Sequence, residues 1–209
     1  NAKKASSGIV NIVGQHATYH IEHNAPLTSD IEGLARPVSA WVRTSPDAKS
    51  VAQDGAAAIA AASASPGQVA TLILPADTAW NEADGIAEVG QISQRAALSA
   101  SAVDAAAKIL KSGEPTLILM SHRALREDGL ALAQQIAGKT GCKVMAQGSN
   151  PRMARGAGRY SIDRVPYVVD LAVNTLKDFQ NIILVEANEP VAFFAYPDKP
   201  SLLKADGAQ

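Results

Sequence analysis

Five short apolar runs separated by alanine-rich stretches of helical length constrain this chain more than any other feature. The runs are Ile9-Val-Asn-Ile-Val13, Val69-Ala-Thr-Leu-Ile-Leu74, Thr116-Leu-Ile-Leu-Met120, Lys143-Val-Met145 and Asn181-Ile-Ile-Leu-Val185. Most lack polar alternation, the pattern of strands buried on both faces of a parallel sheet. Between them the spacing predicts helices over 48–63, 102–112, 124–138 and 166–178. Ser101 or Asp104 is the expected cap of the second helix and Gly113 its stop, while Gly141 follows the third. Strand and helix in alternation predict α/β layers with right-handed crossovers, hence three-layer parallel-sheet units. An alanine-rich all-helical bundle is the competing arrangement, and the regularity of the β-branched runs argues against it.

Composition excludes several classes of function. At 47% hydrophobic and 19% charged residues the chain is not disordered. No apolar run approaches the ~20 residues needed to span a bilayer, so no membrane partner is expected. Nineteen Lys+Arg against 20 Asp+Glu give a net charge of −1, and aromatics make up 4%, so the footprint of a nucleic-acid binder is missing. The single Cys142 forbids an internal disulfide and fits a reducing compartment, which makes the expected localisation cytoplasmic. Asn1-Ala-Lys-Lys4 is no signal peptide, and the lack of an initial Met suggests a trimmed or proteolytically shortened protein.

There is no internal repeat at any fixed period. Residues 81–101, from Asn81-Glu-Ala-Asp-Gly85 to Ser99-Ala-Ser101, are polar, rich in small residues and weakly periodic, as a linker should be. This places one domain over 1–82, a linker over 83–101 and a second domain over 102–209. Each piece reads as incomplete: residues 1–8 are too few to supply the strands that a parallel sheet needs beside 9–13. The alternative is a single sheet shared by both pieces.

Chemistry-bearing residues cluster in two places. Gly14-Gln-His16-Ala-Thr-Tyr-His20-Ile-Glu-His23 follows the first strand at the end where open α/β sheets bind ligands. His16, His20 and His23, spaced by four and three, could share a helical face and hold a metal with Glu22. They could equally line a loop, touch a subunit or meet an organic ligand. No recognised metal spacing is complete. Arg152, Arg155 and Arg159 with Gly156 and Gly158 could hold a phosphate or form a tight turn with solvated arginines. Asp30, Glu32 and Arg36 read as surface charges, His122 as a loop residue after a strand, and Cys142 as core rather than nucleophile. No G-x-S-x-G elbow and no P-loop occurs. By themselves the residues reach an α/β chain of two sub-units without a complete catalytic constellation.

The stretch IVNIVGQHATYHIEHNAPLTSDIEGLARPVSAWVRT (9–44) resembles the second half of the pyrimidine-binding domain of thiamine-diphosphate-dependent enzymes, acetolactate synthase-like and benzoylformate decarboxylase-like. Gly14-Gln15, Arg36-Pro37 and Trp41 carry that likeness. The helix 48–63, then Pro66-Gly67-Gln68-Val69 and the strand 69–74 ending at Pro75-Ala-Asp77, resemble the domain's closing helix and strand. Residues 102–196 are similar to the central, nucleotide-binding-like (DHS-like) domain of the same enzymes, with RGAGR (155–159), RVPY (164–167) and PVAFFAYPDKPS (190–201).

The resemblance implies a parent enzyme, a transferase or lyase, that uses thiamine diphosphate and Mg²⁺ to make or break a carbon–carbon bond of a 2-oxo acid. It implies a homodimer or homotetramer. The family's Glu at the aminopyrimidine would lie upstream of residue 1, and its G-D-G motif for the diphosphate and metal is absent. The implied content is therefore no catalytic residue, no metal ligand and a piece that is inactive in isolation. Gly14, Gln15, His16, Pro26, Leu27 and Thr28 match positions lining the substrate entrance, with His16 at the mouth and Leu27 an apolar wall. The central domain holds FAD in some relatives; here FAD is not expected. A non-catalytic nucleotide-binding or scaffolding module is the alternative function.

Overall fold

β-branched and leucine-rich runs favour extended backbone when both faces can be covered, and two small parallel sheets form on that basis. A computed structural model of the chain describes residues 1–93 and 95–209. The chain folds into two units, residues 1–96 and 97–209.

Unit 1 opens with a short helix α1 (Ala2–Ala5) and then β1 (Ile9–Gln15), α2 (Ile31–Ala35), β2 (Trp41–Thr44), α3 (Val51–Ala62) and β3 (Val69–Pro75). The strands are parallel in the order β1-β3-β2, with Ile9 opposite Val69, Gln15 opposite Pro75 and Trp41 opposite Ala70. β3 is central and buried from Val69 to Ile73. Ala58 and Ala62 of α3 pack on Ala70 and Leu72, with Val10 and Trp41 alongside, so small residues let the helix lie close to the sheet. On the other face Asn11 Nδ2 donates to Thr71 Oγ1 at 3.3 Å, and the Thr71 and Ser39 hydroxyls stand 2.7 Å apart. β1 is an edge strand, and its Ile12 is 61% exposed. Bare apolar residues on a sheet edge invite pairing with another chain segment.

Unit 2 contains α4 (Ala100–Leu110), β4 (Thr116–Met120), α5 (Glu127–Thr140), β5 (Lys143–Ala146), β6 (Asp163–Arg164), α6 (Val169–Leu176) and β7 (Asn181–Val185). Its sheet is parallel throughout, in the order β6-β5-β4-β7. Every residue of β4 is buried, and its alternation divides the core. Leu117 and Leu119 join Met145, Val169, Ala172 and Leu176 on the α6 side. Ile118 and Met120 join Leu125, Leu130 and Val144 on the α5 side. This is the three-layer α/β arrangement expected from the alternating runs. The last residues return to the β7 edge, where Ile182 N–H donates to the Gln209 carbonyl at 2.9 Å and Gln209 N–H to Gln180 at 3.0 Å.

Some expected details differ. Helix α4 begins earlier than 102, and its cap is Ser99, whose hydroxyl accepts from Ala102 N–H, rather than Ser101 or Asp104. It ends at Leu110 and caps at Lys111, two residues before Gly113. Gly141 does cap α5, in left-handed conformation at φ 73°. β2 and β6 were not expected as strands. Each is short, and β2 carries the polar Arg43 and Thr44.

Candidate functional site

Parallel strands bring their carboxyl ends to one side, so residues distant in sequence meet where β1 and β3 stop. Gln15 Oε1 accepts from the His16 N–H at 2.7 Å and turns the chain off β1. Residues Thr18–His23 then form a 3₁₀ helix that ends at Asn24 in left-handed backbone, φ 49°. Asp77, just past β3, clamps this segment: Thr18 N–H donates to Oδ1 at 2.9 Å and the Thr18 hydroxyl to Oδ2 at 2.6 Å.

Those contacts, the Thr18 hydroxyl first and its N–H second, hold the Asp77 carboxyl below its ordinary value of 3.8. A carboxylate with a lowered folded-state pKa stabilises the fold above the unfolded value, and that contribution is lost as pH falls through the folded one. Amide hydrogen exchange at Thr18, followed as pH is lowered, is expected to show protection above 3.8 and its loss at lower pH. Asp77→Asn should flatten that dependence; unchanged pH behaviour in the variant would assign the protection elsewhere.

A cavity of about 1200 Å³ opens at this end, and Gly14, Gln15, His16 and Leu27 all line it. Four of the six expected site residues therefore meet at one surface. Leu27 is 84% exposed, so it edges the cavity rather than sealing it. Pro26 and Thr28 do not line it. They belong to a turn closed by Thr28 N–H on the Ala25 carbonyl at 2.8 Å. His16 Nε2 and Thr28 Oγ are shielded from solvent without a hydrogen-bond partner, which is costly unless another group satisfies them. Asn11, Tyr19 and Trp80 also line the cavity and were not singled out from sequence. The alternation along β1 could have found Asn11, a polar residue amid Ile9-Val-x-Ile-Val13.

The three histidines do not converge. His16 and His20 rings meet edge to face with centroids 5.3 Å apart, and His20 and His23 likewise at 5.8 Å. Among the described residues no group of three or more His, Cys, Asp or Glu is arranged to hold a metal. The arginine–glycine segment is a turn: Arg159 Nε and Nη2 donate to Glu127 Oε2 at 3.2 and 3.0 Å, and Gly156 and Gly158 take φ 116° and 79°. Asp30 caps α2 by accepting from Gly33 N–H at 2.8 Å, and Glu32 pairs with Arg36 while accepting from the Thr44 hydroxyl. Cys142 packs half-buried against the α5-side core. His122 lies at the end of β4, with Nδ1 2.8 Å from the Glu186 carbonyl oxygen.

These residues do not fit the diphosphate and metal end of thiamine diphosphate. The 209 residues contain no G-D-G, and no acidic cluster among the described residues offers the oxygen donors that Mg²⁺ requires. No helix among them is long and apolar enough to cross a membrane.

No protein-family model matches the chain. Over all 209 residues it is 40% identical to a Mycobacterium tuberculosis protein, IlvX, provisionally named an acetolactate synthase large subunit. The chain spans 40% of the length of that curated relative. A provisionally assigned thiamin diphosphate-dependent enzyme from Mycobacterium smegmatis superposes over 99% of the chain and 40% of its own, with TM-score 0.78 and 19% identity. A thiamine diphosphate-dependent 4-hydroxybenzoylformate decarboxylase from Rhodococcus jostii RHA1 does so over 98% of the chain and 40% of its own, with TM-score 0.73 and 19% identity. Benzoylformate decarboxylase from Polynucleobacter necessarius gives TM-score 0.75 at 17% identity, over all of the chain and 39% of its own. The chain is thus similar throughout to part of an acetolactate synthase large subunit-like protein, and its fold is that of the corresponding part of thiamine-diphosphate-dependent enzymes.

Proposed function

We propose that this chain works as part of a thiamine-diphosphate-dependent enzyme acting on a 2-oxo acid, acetolactate synthase-like, and that the 209 residues are inactive in isolation. The observation that carries the reading is 40% identity along the whole chain to a protein two and a half times as long, since the chain makes up 40% of it. The missing G-D-G, and the lack of a metal-holding cluster among the described residues, support the second part. An electron-sink cofactor needs its diphosphate anchored as well as an acid or base at its ring, and the 209 residues contain no G-D-G for the first.

Within such an enzyme the chain would contribute one wall of the substrate entrance. Gln15 fixes the His16 backbone, and Asp77 fixes the segment behind it. The His16 imidazole would form part of that wall, while Leu27 and Trp80 would exclude water there. The parent is proposed to be a homo-oligomer, with the open β1 edge covered by segments outside these 209 residues.

The test is pyruvate consumption by the 209-residue chain with thiamine diphosphate and Mg²⁺ added. The expected result is no turnover above buffer. Exchanging the matching stretch of the mycobacterial relative for this chain should give a protein that retains thiamine diphosphate. Turnover by the isolated chain would overturn the second part of the reading, and a folded chimera unable to bind the cofactor would overturn the first.

A further inference from the structure

A second place for a ligand lies in unit 2, at the carboxyl ends of its strands. β4, β5 and β6 step outward in one direction and β7 lies on the other side of β4, so the topological switch point falls between β4 and β7. A dinucleotide bound at such a point needs glycine after the first strand, because its diphosphate rests against bare backbone. The residues after β4 are Ser121-His122-Arg123-Ala124, without glycine. His122 and Glu186 reach the ends of β4 and β7 in left-handed backbone, φ 47° and 56°. The imidazole Nδ1 lies 2.8 Å from the Glu186 carbonyl oxygen, and Ala124 N–H donates to Glu186 Oε2 at 3.0 Å. A carboxylate therefore already occupies a backbone donor of this crevice, and its charge opposes an entering diphosphate.

The same end of the sheet keeps a cavity of about 610 Å³. Leu119 and Val165 give it an apolar floor, and Tyr167 and Phe193, with ring centroids 5.4 Å apart, give it aromatic walls. Arg164 lines it, and its guanidinium makes no ion pair or hydrogen bond among the described residues. Glu189 lines it too, but its carboxylate is matched by Lys204 at 2.9 Å, so the cavity keeps one positive charge. The carbonyl end of Gln147 accepts from Asn188 N–H at 3.0 Å, which leaves its NH₂ end as a second donor. An apolar, aromatic-walled space with a guanidinium and an amide donor suits a planar body carrying one carboxylate.

We propose that unit 2 binds a compact arene carboxylate in this cavity and does not take a dinucleotide at its switch point. The proposal stands apart from the 2-oxo acid reading, since it concerns the other unit. Calorimetric titration of the 209-residue chain with 2-naphthoate, its uncharged counterpart 2-naphthamide, and ADP tests both halves. Saturable 2-naphthoate binding is expected, with 2-naphthamide and the Arg164→Gln variant each weaker by about tenfold or more, and no saturable ADP binding. Arg164 is exposed, so Arg164→Gln and Arg164→Lys should both keep the wild-type circular dichroism, with Arg164→Lys recovering part of the affinity. Absent 2-naphthoate binding, or binding indifferent to Arg164→Gln, would overturn the cavity assignment. Saturable ADP binding would overturn the exclusion.

Discussion

Replacing Leu119 by alanine is expected to destabilise unit 2 by about 3 to 5 kcal/mol, the largest single effect anticipated for this chain. Leu119 is the fourth of the five residues of β4 and has no exposed surface. It packs in one cluster with Leu117, Met145, Val169, Ala172, Leu176 and Leu203. Truncation loses the transfer free energy of the side chain and leaves Met145, Val169, Ala172 and Leu176 without a partner beside the cavity that Leu119 floors, with the hydrogen-bonded strand and helix α6 held too firmly to close the gap. Urea unfolding followed on unit 2 should show a lowered midpoint with unchanged slope. Leu132→Ala on α5 is the control, because that leucine is 59% exposed and its loss should cost little. A Leu119→Ala cost below about 1 kcal/mol would mean that β4 is less rigidly packed than its burial indicates.

The contrast between those two leucines shows how much of the fold was legible in sequence. β3 and β4 announce themselves because strands covered on both faces need uninterrupted apolar side chains, and few other arrangements tolerate Val69-Ala-Thr-Leu-Ile-Leu74. β2 does not, because Trp41-Val-Arg-Thr44 is short and its Arg43 finds a partner on α3 that local pattern cannot reveal. The cap of α4 is Ser99 rather than the expected Ser101 or Asp104, because these short polar side chains can all cap a helix and only the backbone entering it selects among them.

The candidate site was legible on one strand and opaque on the other. A polar cluster after an apolar run marks a strand's carboxyl end, so Gln15 and His16 could be picked out. Their partners could not, because the register that sets Gln15 opposite Pro75, and so brings Asp77 to Thr18, joins positions 59 residues apart. The same holds in unit 2, where His122 and Glu186 meet across 64 residues. The three histidines failed in the opposite sense: their spacing allows a common face on one α-helix, but His16 precedes the 3₁₀ helix that carries His20 and His23, and the rings pack edge to face in sequence.

Asp54→Ala is expected to destabilise unit 1 by about 3 kcal/mol, the low end of the range for breaking a buried pair. Asp54 lies on the buried face of α3 at 5% exposure. Its Oδ1 accepts from Arg43 Nη1 at 2.8 Å and its Oδ2 from the fully buried Ser45 hydroxyl at 2.8 Å, so the carboxylate ties the end of β2 to the helix. The Arg43 guanidinium carbon also sits 5.2 Å from the Trp41 ring centroid, which keeps the fork in place without Asp54. Arg43 is 47% exposed and can resolvate once its partner is gone, which is why the low end applies. Ser45 cannot, and an orphaned buried hydroxyl adds to the cost. Asp54→Asn preserves the shape and can still accept from Ser45 but loses the charge, so about half the destabilisation is expected. The order of unfolding midpoints should run wild type, Asp54→Asn, Asp54→Ala. Equal midpoints for the two variants would mean that the charge, rather than the hydrogen bond to Ser45, accounts for the whole contribution of this residue to holding β2 against α3.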